Sequence, residues 1–187
     1  MTPFRPTGPT ASRRHFLKRS AQLFVALAVC SPIRLSASPH TRRFLSFYHT
    51  HTGKRLNISY AYGKRYDALA LEQIKHYLRD FRTGEEHGID PRLLDILWNI
   101  QQDIGREGIF EVISGYRSPA TNRKLRQQSS GVARHSLHMQ GRAIDVRFTG
   151  APTKYLQQSA ITMKCGGVGY YRHSDFVHLD TGHFRTW

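Results

Sequence analysis

The chain has 187 residues, 39% of them apolar, and a formal net charge of +15. That length argues for one domain with one ordinary core. The charge suits an anionic partner, whether nucleic acid, an anionic membrane face or an anionic polymer, and two cysteines exclude a disulfide framework.

The first forty residues are different material from the rest. Ser12-Arg13-Arg14-His15-Phe16-Leu17-Lys18 matches the twin-arginine export signal, and Leu23 to Val29 supplies a short apolar run. A membrane span needs about 20 apolar residues, so this run reads as a leader rather than an anchor. Cleavage is expected near Ala37, giving a leader over residues 1–37 and a mature domain over 38–187. The leader holds six basic residues and no acidic one, which leaves the mature part near +9. Export argues against nucleic acid and points to a wall polymer with carboxylates. Only Cys165 remains after cleavage, and it reads as a buried helix-end residue.

Phe44–Thr50 and Arg55–Tyr62 alternate around His51-Thr52-Gly53-Lys54, which predicts a hairpin. Asp67 caps a predicted helix whose apolar positions are Leu71, Ile74, Tyr77, Leu78 and Phe81. Asp90-Pro91 opens a second helix with a stripe from Leu93 to Ile104, stopped at Gly105. A strand over Ile109–Ser114, a short basic helix over Thr121–Gln128 and a strand over Ala143–Phe148 follow. Pro152–Lys164 reads as a helix, and Val168–Tyr171 and Phe176–Asp180 as two closing strands. Gly166, Gly167 and Gly169 lack the lysine and following helix of a phosphate loop, so they are expected to serve a tight turn or close backbone approach.

Three side chains in the second half read as ligands of one catalytic zinc: His138, Asp145 and His178. Imidazole nitrogen and carboxylate oxygen suit Zn²⁺, and three protein ligands leave a fourth position for reactive water. Asp145 lies between Ile144 and Val146, where an unpaired carboxylate is expensive and a cation offsets its desolvation. The alternative for Asp145 is an ion pair with Arg142 or Arg147, and for His138 a surface loop. His135 lies close enough to raise a swapped ligand, and only a family resemblance of Ser136-x-His138 favours His138.

Ser136-x-His138-x-x-Gly141-x-Ala143-x-Asp145, with His178-x-Asp180 later, resembles the D-Ala-D-Ala metallopeptidase family. Ile113 to Ser118, Gly131 to Ala133, Gly166 to Tyr171 and Asp180-Thr181-Gly182 with Trp187 resemble its murein endopeptidase branch, over roughly Phe44 to Trp187. The resemblance implies an α+β, hedgehog/DD-peptidase-like fold, with a central mainly antiparallel sheet flanked by helices. It also implies one zinc ion per chain.

Within that family pattern, Asp175 matches a general base, with Asp180 as its rival or as a support for a ligand or turn. His173 matches a histidine that stabilises the oxyanion, and Arg117 an arginine that binds a substrate carboxylate or polarises the scissile carbonyl. Ser136 and Tyr116 are expected to contact a ligand or the substrate, and Tyr170 and Tyr171 to line the cleft.

The implied function is a periplasmic zinc endopeptidase cutting peptidoglycan cross-links of the D-Ala–meso-diaminopimelate type. A D,D-carboxypeptidase on stem peptides and a noncatalytic wall-binding module are the alternatives. Peptidoglycan is the expected partner, with neither nucleic acid nor a stable membrane span in the mature form.

Overall fold

The computed structural model describes residues 41–129 and 131–187. The expected twin-arginine segment and expected cleavage site lie outside the described residues. Among the described residues, no helix is long and apolar enough to cross a membrane.

The expected hairpin forms from β1 (Arg42–His49) and β2 (Arg55–Tyr62), with a two-residue β3 (Arg65–Tyr66) added at its edge. Helix α1 (Ala68–Tyr77) starts at the predicted cap, where Asp67 accepts the Ala70 N–H at 3.0 Å. It stops at Leu78, so Phe81, expected on its apolar stripe, sits instead in the following loop. The buried carboxylate of Asp80 accounts for the stop. It accepts the N–H groups of Arg82 and Ser118, which fixes this segment to a distant loop instead of a further helical turn.

Helix α2 (Pro91–Ile104) follows the predicted frame, from the Asp90 cap to Gly105 in the left-handed conformation. Strand β4 (Phe110–Ser114) leads to α3 (Pro119–Gln128), which begins two residues before the expected Thr121 because Ser118 caps it through the Thr121 N–H. Strand β5 (Ala143–Phe148), α4 (Thr153–Met163), β6 (Gly167–Tyr171), β7 (Phe176–Asp180) and a short β8 (Arg185–Thr186) complete the order. Cys165 follows α4 and is half-buried rather than fully buried.

The eight strands form one sheet in the order β3-β2-β1-β4-β5-β7-β6-β8. Among the described residues only β1 with β4 and β6 with β8 run parallel, so the sheet is mainly antiparallel and the fold is α+β, as expected. Leu45, Phe47, Phe110, Ile144, Val146, Val177 and Leu179 form the core with Leu93, Leu97 and Ile100 of α2 and Leu156 and Ala160 of α4. Each fully buried aliphatic or aromatic side chain contributes about 1.5–3 kcal/mol. This packing fixes the register of the central strands, because a one-residue slip would turn the apolar face outward.

Candidate metal centre

Strand alternation decides which side chains of β5 and β7 meet. Asp145 and His178 are direct partners in the antiparallel register, so both project from one face of the sheet. Their neighbours Ile144, Val146, Val177 and Leu179 project from the other face, into the core.

His138 arrives on a 3₁₀ turn, Leu137–Gln140. Ser136 caps that turn, its Oγ accepting the His138 N–H at 3.4 Å. Gly141 ends it with a φ of 63°, and a Cβ there would overlap the Gly88 carbonyl. Only glycine meets both conditions, which explains its place in the motif.

The three side chains form a triangle of donor atoms. His138 Nε2 lies 3.2 Å from Asp145 Oδ1 and 3.2 Å from His178 Nδ1. The remaining edge, His178 Nδ1 to Asp145 Oδ1, is 2.9 Å. All three residues are buried, with His178 the most accessible at 9%.

Outer contacts hold each imidazole in place. His138 Nδ1–H donates to the Gly115 carbonyl at 2.7 Å, and His178 Nε2–H donates to Asp180 Oδ2 at 3.1 Å. Each inner nitrogen can then offer its lone pair to a common centre. Tetrahedral zinc at about 2.0–2.1 Å from its donors spaces neighbouring donors by roughly 3.3 Å. The observed edges and the nitrogen–oxygen donor set fit one such ion.

Charge is distributed unevenly across the centre. Burial and the charge of Arg117 push His138 down to about 4. Burial works to raise Asp145, but the charges of His138 and Arg117 outweigh it and hold the carboxyl well below the usual range. For His178, burial is outweighed by hydrogen bonds to Asp145 and Asp180, and its pKa rises.

Asp145 pairs with neither Arg142 nor Arg147. Its second oxygen accepts from Arg117 Nη2, while Arg117 Nε donates to Ser114 Oγ at 2.8 Å. Arg142 turns to Thr181, and Arg147 donates to the carbonyls of Asp175 and Ser174 at 2.6 and 3.0 Å.

Asp180 is fully engaged. Besides His178 it accepts from Arg185 at 2.6 Å and from the backbone N–H groups of Gly167 and Gly182 at 3.0 and 2.8 Å. Burial works against ionisation here, but these donors outweigh it and keep the carboxyl below its ordinary range. Gly167 and Gly169 do allow close approach: a Cβ on the first would overlap Asp180 and Arg185, and on the second the Trp187 indole. That indole lies 5.3 Å from the His178 ring.

The triangle opens on a cleft of about 600 Å³ that Arg117, Ser136 and Tyr171 also line. Asp175 and His173 are not among its lining residues, contrary to the place expected for them. Both are exposed on the turn between β6 and β7, with Asp175 at a φ of 47°. Both precede β7, which starts at Phe176, so neither shares the strand register that aligns Asp145 with His178. Tyr116 is likewise outside the lining; it is buried, stacks on His87 at 5.1 Å and donates its N–H to the Leu78 carbonyl.

The cleft residues without an assigned role in the sequence include His51, Arg82, Arg185 and Trp187. No local spacing marks them, since they come from the β1–β2 turn, the loop after α1 and the strand beyond β7. His135 lines the cleft too but stands apart from the triangle.

The sequence model of the peptidoglycan L,D-endopeptidase MepK family matches residues 36–187. The chain belongs to that family. A protein named "Peptidoglycan L,D-endopeptidase MepK" from Escherichia coli K12 is 36% identical over 177 residues, covering 95% of this chain and 97% of that one. One from Haemophilus influenzae, named "Probable peptidoglycan L,D-endopeptidase MepK", is 43% identical over 146 residues, covering 78% of each. No solved structure matches the chain. As a member of the MepK family the chain is a metallopeptidase acting on peptidoglycan, in agreement with the branch its motifs resemble.

Proposed function

We propose that the chain is a zinc-dependent endopeptidase of peptidoglycan cross-links, with residues 38–187 as its catalytic domain. A twin-arginine leader over residues 1–37 would carry it to the periplasm. The observation that carries this reading is the buried His138, Asp145 and His178 triangle opening on a 600 Å³ cleft.

Zinc held there supplies Lewis acidity toward the scissile carbonyl and lowers the pKa of water. His138, Asp145 and His178 would hold the ion, and Asp180 and the Gly115 carbonyl orient the two imidazoles. Arg117, anchored by Asp145 and Ser114, has further N–H groups for the oxygen of the scissile carbonyl. Asp180 is unsuited to proton transfer, because both its oxygens already accept several donors. Asp175 and His173 are given no part in this mechanism, since neither lines the cleft.

For the bond cut, the family resemblance implies the D-Ala–meso-diaminopimelate link, whereas the relatives are named L,D-endopeptidases, a label for a bond between an L and a D centre. Digestion of purified muropeptides of both cross-link types, with and without chelator, followed by mass analysis, tests the whole reading. Chelator-sensitive conversion of dimers to monomers is expected. Dimers left intact by the zinc-loaded protein overturn it, and release of terminal D-alanine alone would make it a carboxypeptidase.

A further inference from the structure

Three arginines line the cleft, and two of them are committed. Arg117 is paired with Asp145 and Arg185 with Asp180. Among the described residues, the guanidinium of the third, Arg82, makes neither an ion pair nor a hydrogen bond. Both aspartates that line the cleft are already taken by other partners, so neither pairs with Arg82.

Its surroundings place this charge with care. Phe81 lies beneath the Arg82 guanidinium, 4.1 Å from its central carbon, and stacks with His51 at 4.3 Å and 13°. The flat group is thus supported by a ring rather than by an anion, which leaves its N–H edge for another partner. Asp80 then ties this segment to the arginine loop opposite, one oxygen accepting the Arg82 N–H at 2.9 Å and the other the Ser118 N–H at 2.8 Å. One buried carboxylate therefore sets the backbone of Arg82 in register with that of Arg117 and its neighbour. Partial burial lowers the pKa of Arg82, the Asp80 carboxylate works against that, and the charge of Arg117 adds to it.

We infer that Arg82 is the specificity residue that recognises a free carboxylate of the stem peptide while Arg117 is occupied at the metal centre. This rests on the peptidoglycan reading above. It divides between two residues the tasks that sequence resemblance assigned to Arg117 alone: Arg117 faces the scissile carbonyl, and Arg82 reads the charge of the substrate away from it. A planar guanidinium holds a carboxylate through two parallel hydrogen bonds, which lysine cannot reproduce.

The test compares muropeptides whose stem carboxylates are free with the same compounds amidated, on the zinc-loaded full chain and on Arg82→Ala and Arg82→Lys. Two readouts are taken: kcat/KM on cross-linked dimers, and calorimetric binding of the uncross-linked stem tripeptide. The wild-type protein is expected to prefer the free acid by about tenfold to a hundredfold, the range of a charge-assisted hydrogen-bonded contact. Arg82→Ala should lose most of that preference, chiefly through KM, while handling the amidated compounds as the wild type does. Arg82→Lys should fall between them.

An equal preference in wild type and Arg82→Ala, in both readouts, overturns the inference. So does an equal loss on free and amidated compounds, which marks a merely structural role. If no dimer is cut but binding still discriminates through Arg82, the endopeptidase reading falls and the carboxylate site stands. If dimers are cut and discrimination ignores Arg82, the reverse holds.

Discussion

The buried triangle and the β6–β7 turn are neighbours in the chain and unlike in every physical respect. His178 is held by Asp145 and Asp180 inside the sheet, while Asp175, three residues earlier, is exposed at a left-handed backbone position. His138, forty residues away, is the one whose nitrogen comes within 3.2 Å of His178. Register across strands, rather than proximity in sequence, decides which polar groups can act together. A carboxylate on an exposed turn lacks the dry surroundings that strengthen electrostatics.

The sharpest way to break this contrast is to remove the triangle. His138→Ala, Asp145→Ala and His178→Ala are each expected to abolish hydrolysis and lower zinc content, measured by muropeptide digestion and elemental analysis. Full activity in any of them would remove that residue from the centre. Next in size, Asp180→Asn should weaken zinc affinity or activity by about 10- to 100-fold, the usual cost of losing a partner that orients a ligand. An unchanged zinc titration would show that the His178 hydrogen bond is dispensable.

A third experiment asks what burial does to an imidazole that has no acid beside it. His49 is buried against Tyr77 and Phe81, its Nε2 has no partner, and burial first, then the charges of His51, Arg79 and Arg82, lower its pKa to about 4. Because the folded value lies below the ordinary 6.5, the unfolded chain binds the extra proton between the two. The stability contributed by neutral His49 is therefore complete above pH 6.5 and declines as pH falls toward 4, by roughly 3 kcal/mol at most. Urea denaturation across that window should show a shallower decline in His49→Gln, and an identical pH slope would refute the assignment. The smallest effect is expected at the turn: Asp175→Asn and His173→Gln should change kcat/KM by less than about threefold, within the range of ordinary surface substitutions. A loss of two orders of magnitude in Asp175→Asn would restore it as the base and erase the contrast.

The main elements of the fold were readable because their signals are local. Asp67 and Asp90 mark helix starts, and alternation marks β1, β2, β5 and β7. The two-residue strands β3 and β8 were not, since two residues carry no period, and the end of α1 was misread because the long-range hydrogen bonds of Asp80 outweigh an apolar residue in phase at Phe81. For the centre, the motif resemblance to a known family singled out His138, Asp145 and His178, which do converge. The cleft walls escaped notice because His51, Phe81 and Arg82 meet across thirty residues through ring contacts that no motif encodes.

The indole of Trp187, seated over the space left by Gly169 and 5.3 Å from the imidazole of His178, gives the protein an optical probe of its own centre. Indole emission is sensitive to the protonation and electrostatics of an adjacent ring, so loading and stripping of the centre become visible as fluorescence changes without any added dye. With the other tryptophan, Trp98 on α2, replaced by Phe, a single emitter would report on the state of the centre in real time.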